Sequence, residues 1–250
     1  MALKLLVTRA SNEWEETVRM FEGTGLDLVP CPLTKVIFHQ PPLPERPQGF
    51  LVTSRNGVRG LEAHPFVDKT IPLWAVGSRT ASLARALGFR QVTEGGGTAS
   101  SLMPLIAKQC VREGGPLVYL RGTDVRFQLT QALSSLGFKS LEAVMYTCQT
   151  LPEIPEGVVR LLTSPEERAS LGGIVFLSFR GFQRFQTCLL TQNLASGLEC
   201  VSVFGLAPWT QAPLIPGGLP LCAPQEPTVQ ALKERIIQKL GSKDAGAGPG

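Results

Sequence analysis

A faint internal repeat constrains this chain more than any other feature. Gly49-Phe50-Leu51-Val52-Thr53-Ser54-Arg55-Asn56-Gly57-Val58 lies over Gly173-Ile174-Val175-Phe176-Leu177-Ser178-Phe179-Arg180-Gly181-Phe182. Ser54 to Ser178 and Gly57 to Gly181 both span 124 residues, and each copy is an apolar run ending in Ser with Gly three residues later. Leu6-Val7-Thr8-Arg9 resembles Tyr119-Leu120-Arg121-Gly122, Ala75-Val76-Gly77-Ser78-Arg79 resembles Val203-Phe204-Gly205-Leu206-Ala207, and Gly97-Thr98-Ala99-Ser100-Ser101-Leu102 resembles Pro227-Thr228-Val229-Gln230-Ala231-Leu232. A repeat this long is not a solenoid unit. It reads as two similar α/β halves, whose repeated turns are expected to line a cleft between two lobes.

Short apolar runs punctuate the chain: Leu3–Thr8, Phe50–Thr53, Leu73–Val76, Leu117–Leu120, Ile174–Leu177 and Val201–Phe204. They are continuous rather than alternating, as strands are when helices cover both faces of a parallel sheet. Between them lie amphipathic stretches. Val125, Leu129, Leu133 and Leu136 share one helical face, and Val229, Leu232, Ile236, Ile237 and Leu240 share another. Gly25-Leu26, Gly88-Phe89 and Gly137-Phe138 read as left-handed helix caps followed at once by a strand. Strand and helix alternating in this way predict a doubly wound α/β fold. Pro30–Phe38 and Tyr146–Pro152 are β-prone segments bounded by prolines, and they read as a pair of extended connections between two lobes. If the chain crosses twice, one lobe is built from both termini. The Gly/Ala-rich tail from Gly241 to Gly250 is expected to be disordered.

Composition removes several classes of function. A net charge of +4 over 250 residues, with no Lys/Arg run, is too little for a nucleic-acid arm. No apolar stretch approaches a membrane span. Arg9 interrupts the apolar N-terminus before it reaches the length of a secretory signal. Six cysteines, Cys31, Cys110, Cys148, Cys188, Cys200 and Cys222, are scattered without a C-x-x-C pair and read as reduced thiols of a cytoplasmic protein. His39 and His64 are too few for a histidine metal site, and the sequence gives no reason to expect a metal or cofactor.

Ligands of parallel α/β sheets bind beyond the carboxyl ends of the strands, where the repeated turns fall. Thr8, Thr53-Ser54, Gly77-Ser78, Thr98, Ser178, Gly205 and Thr228 each precede a helix in this reading. A helix start offers unpaired N–H groups and a partial positive charge, and so accepts a carboxylate or phosphate; simple N-capping explains a lone Ser or Thr equally well. Pro104 fits a first helical turn and moves that helix start toward Ser100 or Ser101. Arg9, Arg55, Arg79, Arg121, Arg126 and Arg180 gather at the same turns and suit carboxylate recognition or a solvated rim. There is no Walker or dinucleotide glycine motif. Of the two tyrosines, Tyr119 sits inside an apolar strand and reads as core. Tyr146 opens the second connection, where its phenol either reaches the cleft or packs at a hinge.

The ordered set Leu6-Val7-Thr8-Arg9, Thr53-Ser54-Arg55-Asn56-Gly57-Val58, Ala75 to Ala81, Gly97 to Leu102, Leu117 to Gly122, Val144-Met145-Tyr146-Thr147, Leu177-Ser178 and Pro227-Thr228 with Ala231-Leu232 resembles the uroporphyrinogen-III synthase family over nearly the whole chain. The resemblance implies two flavodoxin-like, doubly wound parallel-sheet domains joined by a two-stranded β-ladder. One would combine residues 1–33 and 149–240, and the other would span 34–148. It implies a cofactor-free, monomeric enzyme of heme biosynthesis that closes hydroxymethylbilane, a linear tetrapyrrole rich in carboxylates. Water is lost and the last pyrrole is inverted through a spiro intermediate. Tyr146 would assist loss of the hydroxyl. Arg9, Thr53, Ser54, Asn56, Gly77, Ser78, Thr80, Thr98, Arg121, Gly122, Ser178, Gly205 and Thr228 would bind substrate. The altered Gly205–Trp209 turn motivates an alternative, a weakened or inactive tetrapyrrole-binding homologue. Gly205-Leu206-Ala207-Pro208-Trp209 replaces the family's Gly-x-x-Thr-Ala-like run, and Phe179-Arg180 follows Ser178 where the family commonly has Pro.

Overall fold

The computed structural model describes residues 2–65, 67–124, 127–196, 198, 201–208 and 221–244. Val125, Arg126, Cys200 and Trp209, named above, lie outside the described residues. The strands are β1 (Lys4–Val7), β2 (Asp27–Pro30), β3 (Thr34–Phe38), β4 (Gly49–Val52), β5 (Leu73–Ala75), β6 (Val92–Glu94), β7 (Leu117–Gly122), β8 (Ser140–Thr150), β9 (Leu171–Phe176), β10 (Ser202–Gly205) and β11 (Leu221–Cys222). The helices are α1 (Trp14–Met20), α2 (Arg55–Glu62), α3 (Ser78–Ala86), α4 (Leu102–Gln109), α5 (Leu129–Ser135), α6 (Glu156–Thr163), α7 (Pro165–Arg168), α8 (Phe179–Thr191) and α9 (Val229–Asp244).

The chain forms two units, one from Met1–Lys35 with Thr150–Gly250 and one from Val36–Gln149. In the first, the described strands run β11-β10-β9-β1-β2, all parallel. In the second they run β6-β5-β4-β7-β8, also parallel, with β3 beyond β8. The pairing of β3 with β8 is antiparallel. His39 N–H donates to Met145 O (2.8 Å), while Leu151 N–H donates to Leu33 O (3.0 Å). Both strands continue from one unit into the other.

Matched outward from the centre, the two sheets are the same sheet. β1, β2, β9, β10 and β11 occupy the places of β7, β8, β4, β5 and β6. Registers agree as well: Lys4 faces Asp27 and Leu117 faces Ser140, a step of 23 residues in both. Unit 1 follows the flavodoxin order, and unit 2 reaches the same arrangement by starting at its third strand. The chain is therefore two tandem copies of one pattern. Unit 1 takes the front of the first copy and the back of the second.

Each sheet is buried on both faces, which is why its strands read as unbroken apolar runs. In unit 1, Leu6, Ile174, Phe176 and Val203 pack under α6 and α8, while Leu5, Val7, Val175 and Phe204 pack under α9. In unit 2, Val52, Ala75, Val118 and Leu120 meet α2 and α3, while Leu51, Trp74, Val76 and Tyr119 meet α4 and α5. The cap glycines read from the sequence have left-handed backbones: Gly25 φ 68°, Gly88 φ 89° and Gly137 φ 83°. The tail is corrected at its start. α9 continues to Asp244, past Gly241, because a helix already running from Val229 absorbs one glycine at a cost of about 1 kcal/mol, and residues 245–250 lie outside the described residues.

Candidate active site at the carboxyl end of the second sheet

Ser54 follows β4 with extended backbone (φ −147°, ψ 157°) and caps α2, its Oγ accepting from Gly57 N–H at 3.1 Å. Two glycines then let α2 lie unusually close to the sheet. A Cβ on Gly57 would come within 2.9 Å of Leu120 O, and one on Gly60 within 2.8 Å of Met145 Cβ. The short Gly57-to-Gly60 face thus seats α2 on β7 and β8, and carries its capping serine to the ends of both strands.

At that end the β7–β8 register slips. Arg121 pairs with Val144, but Gly122 pairs with Tyr146, leaving Met145 as an extra residue on β8. The slip breaks the alternation of faces, so Met145 and Tyr146 both pack on the α2 side of the sheet. The Tyr146 ring lies over Gly122, where any Cβ would meet Cε2 and Cζ at 2.7 Å. Its hydroxyl is 2.9 Å from Ser54 Oγ. Beside it, Thr53 Oγ1 is 3.3 Å from Tyr119 OH. Tyr119 does pack in the core at 4% exposure, but its hydroxyl reaches the floor of this site. Burial pushes the Tyr146 phenol above its ordinary value of 10.0. The Ser54 hydrogen bond pulls the other way, and Cys148, Tyr119 and Asp124 push it further up. At neutral pH the group is a proton donor.

Arg121 serves the protein's own loop. Its Nε is 2.7 Å from Glu142 Oε2, and its Nη1 donates to Gly122 O (2.9 Å) and Thr123 O (3.3 Å). Thr130 Oγ1 holds the other Glu142 oxygen at 2.8 Å. Asn56 lies in the first turn of α2, where Arg59 Nη1 approaches its Oδ1 at 3.4 Å. Gly77 begins α3 without a side-chain cap; Ser78 is exposed and Thr80 is buried. Thr98 is exposed, with no capping bond from its side chain. A 3-10 turn over Ala99–Ser101 follows it, and α4 starts at Leu102. The carboxyl end of this sheet thus brings together Thr53, Ser54, Asn56, Gly122 and Tyr146, with the Gly77-Ser78 turn on the adjoining strand.

In unit 1, Ser178 caps α8 as Ser54 caps α2, accepting from Gly181 N–H at 3.1 Å. Gly181 packs against Thr8, whose Oγ1 would be 3.2 Å from an added Cβ. Arg9 Nε is 3.0 Å from Glu13 Oε2. Thr228 Oγ1 accepts from Ala231 N–H (3.2 Å) and so caps α9. Gly205 corrects the sequence alignment. Val76 N–H donates to Val52 O, and Leu206 N–H donates to Phe176 O, so Leu206 matches Val76 and Gly205 matches Ala75 inside the strand. Gly205 is buried rather than placed in a turn, and its lack of a side chain makes room for Leu221 Cδ2, which a Cβ would meet at 2.7 Å.

A family model described as uroporphyrinogen-III synthase HemD matches residues 15–234. The chain belongs to the uroporphyrinogen-III synthase family. Among solved structures it is similar to the uroporphyrinogen-III synthetase of Helicobacter pylori, with 19% identity over 95% of this chain and 99% of that one and a TM-score of 0.58, which shows a shared fold. It also aligns with a mutant uroporphyrinogen III synthase of Thermus thermophilus, 18% identical over 96% of this chain and 100% of that one, with a TM-score of 0.48. No curated protein matches it by sequence.

Three contributors to this candidate site escape a linear reading. Glu142 pairs with Arg121 across the register of two strands, which spacing along the chain does not reveal. Gly60 looks like an ordinary helical glycine until β8 is placed against it. The Thr53 contact of Tyr119 was hidden by an apolar strand around the phenol. The Gly57-x-x-Gly60 spacing was the available signal for the close helix.

Proposed function

We propose that this protein closes hydroxymethylbilane to uroporphyrinogen III, with Tyr146 as the acid that assists loss of the hydroxyl. The observation that carries the reading is a family match spanning residues 15–234, joined to a phenol kept protonated at the carboxyl end of a parallel sheet. When the hydroxymethyl C–O bond breaks, its electron pair leaves with the oxygen, and the Tyr146 proton makes that oxygen water. The remaining cation is attacked by the last pyrrole at the ring carbon that already carries its bridge, giving the spiro intermediate. The old bridge bond then breaks and re-forms at the pyrrole's free carbon, which inverts that ring. Ring closure releases one proton, which restores the phenol, so tetrapyrrole in gives macrocycle plus water out.

The rest of the task is positioning. Holding reacting atoms in near-attack geometry supplies roughly 7 kcal/mol or more. The turns at Thr53-Ser54 with Asn56, at Gly77-Ser78 with Thr80, and at Thr98 offer backbone N–H groups to substrate carboxylates in unit 2. Those at Ser178 and Thr228 do so in unit 1, with Arg9 nearby in sequence to Thr8. Arg121 acts through Gly122 rather than on substrate. We place the protein in the cytoplasm as a monomer. Cys31, Cys110 and Cys188 are free thiols, and no described helix is long and apolar enough to cross a membrane.

The test is a coupled assay. Freshly made hydroxymethylbilane is supplied to the purified protein, and the oxidised products are separated into type I and type III isomers. Type III above the no-enzyme control is the expected result. Type I alone, the product of spontaneous closure, would overturn the reading.

A further inference from the structure

The geometry points to Ser54 as a positioning residue that donates its own hydroxyl proton to Tyr146, so that the phenol proton faces outward and is free to be given away. This rests on the synthase reading above and deepens it. Ser54 Oγ already accepts the Gly57 N–H at 3.1 Å. It keeps one proton and one lone pair, and its contact with Tyr146 OH at 2.9 Å could run either way. Two features favour donation by serine. The Gly57 N–H draws electron density from Oγ and makes its O–H the stronger donor. Oγ also stands at the positive end of α2, which disfavours accepting a second proton and favours negative charge beyond it.

Tyr146 cannot turn to escape this arrangement. Its ring lies on Gly122, whose carbonyl is held by Arg121, and its backbone carbonyl accepts from Thr123 N–H at 3.1 Å. When the phenol gives up its proton to the departing oxygen, the Ser54 O–H remains on the phenolate and stabilises it. The later proton released by ring closure returns to the same oxygen. No bond to Ser54 is made or broken; its proton is shared and kept throughout.

Substitutions at Ser54 separate this role from helix capping. Aspartate caps as well as serine but can only accept, so Ser54→Asp forces the phenol proton inward. Ser54→Thr keeps both the cap and the donor. We expect Ser54→Thr to keep kcat within about threefold of the native value, and Ser54→Asp to keep thermal stability while kcat falls on the order of tenfold to a hundredfold. In a Tyr146→Phe background, Ser54→Asp should then have no further effect on kcat. Equal kcat in the Asp and Thr variants, or an equal loss in both backgrounds, would overturn the proposal.

A readout free of turnover is the ultraviolet titration of Tyr146, identified by its loss in Tyr146→Phe; Cys148, Tyr119 and Asp124 face the same phenol. If serine donates, Ser54→Ala moves the Tyr146 titration upward. A downward move or no change means the phenol donates to serine, and the proposal fails. Should the native protein make no type III isomer, the synthase reading falls while this titration still decides the hydrogen bond.

Discussion

Ser54 and Ser178 stand at the same place in two sheets of the same spatial order, each accepting from a glycine N–H three residues on at 3.1 Å. Only Ser54 touches a phenol. Counting along the chain from the matched residues Asp27 and Ser140, Tyr146 of unit 2 answers to Leu33 of unit 1, which is buried in the core with Cys31 and Phe176. Gly60, which lets α2 approach β8, answers to Arg184. The Pro-rich segment before β4 answers to α6 and α7 before β9. One scaffold was thus fitted out twice. The helix cap and the sheet were kept in both units, and the ionisable apparatus was kept in one. The cap belongs to folding, and what was added beside it in unit 2 belongs to chemistry.

The comparison breaks first at Leu33 and Tyr146. Leu33→Ala should cost about 3 kcal/mol of stability through cavity formation and leave kcat of the folded protein unchanged. Tyr146→Phe should lower kcat about a hundredfold, about 2.7 kcal/mol, with KM within about twofold and little change in Tm. Parallel losses of both quantities in both variants would erase the distinction between core and chemistry. Next, Gly60→Ala should cost about 2 kcal/mol by overpacking against Met145, although alanine is the better helix former by about 1 kcal/mol. Arg184→Ala should cost under about 1 kcal/mol. A neutral Gly60→Ala in denaturant unfolding would mean that α2 is free to lift away. Ser54→Ala and Ser178→Ala should each lose about 1 kcal/mol of capping; the former should lower kcat in the isomer assay, and the latter, at a carboxylate-binding turn, should raise KM and leave kcat nearly unchanged.

The smallest expected effect is on pH dependence in unit 1. Burial, with Cys188 nearby, pushes the Cys31 thiol far above its ordinary value of 9.0. Above that value the native state holds a proton that the unfolded chain has lost, so stability is full below pH 9 and falls as pH rises. The loss between pH 8.5 and 9.5 should be about 0.7 kcal/mol. Cys31→Ala should flatten the profile by that amount, and an unchanged profile would place the alkaline sensitivity elsewhere.

The central strands were legible because burial on both faces leaves only apolar residues: Phe50-Leu51-Val52 and Ile174-Val175-Phe176 are plain in the chain. The edges were not. β2 ends on Pro30 and β6 carries Thr93 and Glu94, so nothing apolar repeats there, and β8, inside the sheet between β7 and β3, is hidden in the same way by exposed Glu142 and Gln149. Among site residues, Ser54 and Tyr146 were readable from turn chemistry and scarcity. Their 2.9 Å contact was not, because it depends on the slipped register at Gly122 and on two glycines under α2. Gly205 misled for a related reason. A strand glycine that yields to Leu221 looks, in one dimension, like the glycine of a turn.

The interleaving of the two copies also sets a timetable for synthesis. Thr8 donates to Val175 from 167 residues away, so β1, flanked in the finished sheet by β2 and β9, leaves the ribosome long before β9 exists. Unit 2 is complete once residue 149 has emerged and can settle during translation. Until then Leu5, Leu6 and Val7 have no permanent home. A nascent chain stalled near residue 160 should therefore carry a protease-resistant middle and a digestible beginning, and the beginning should become resistant only when β9 and β10 have emerged from the tunnel.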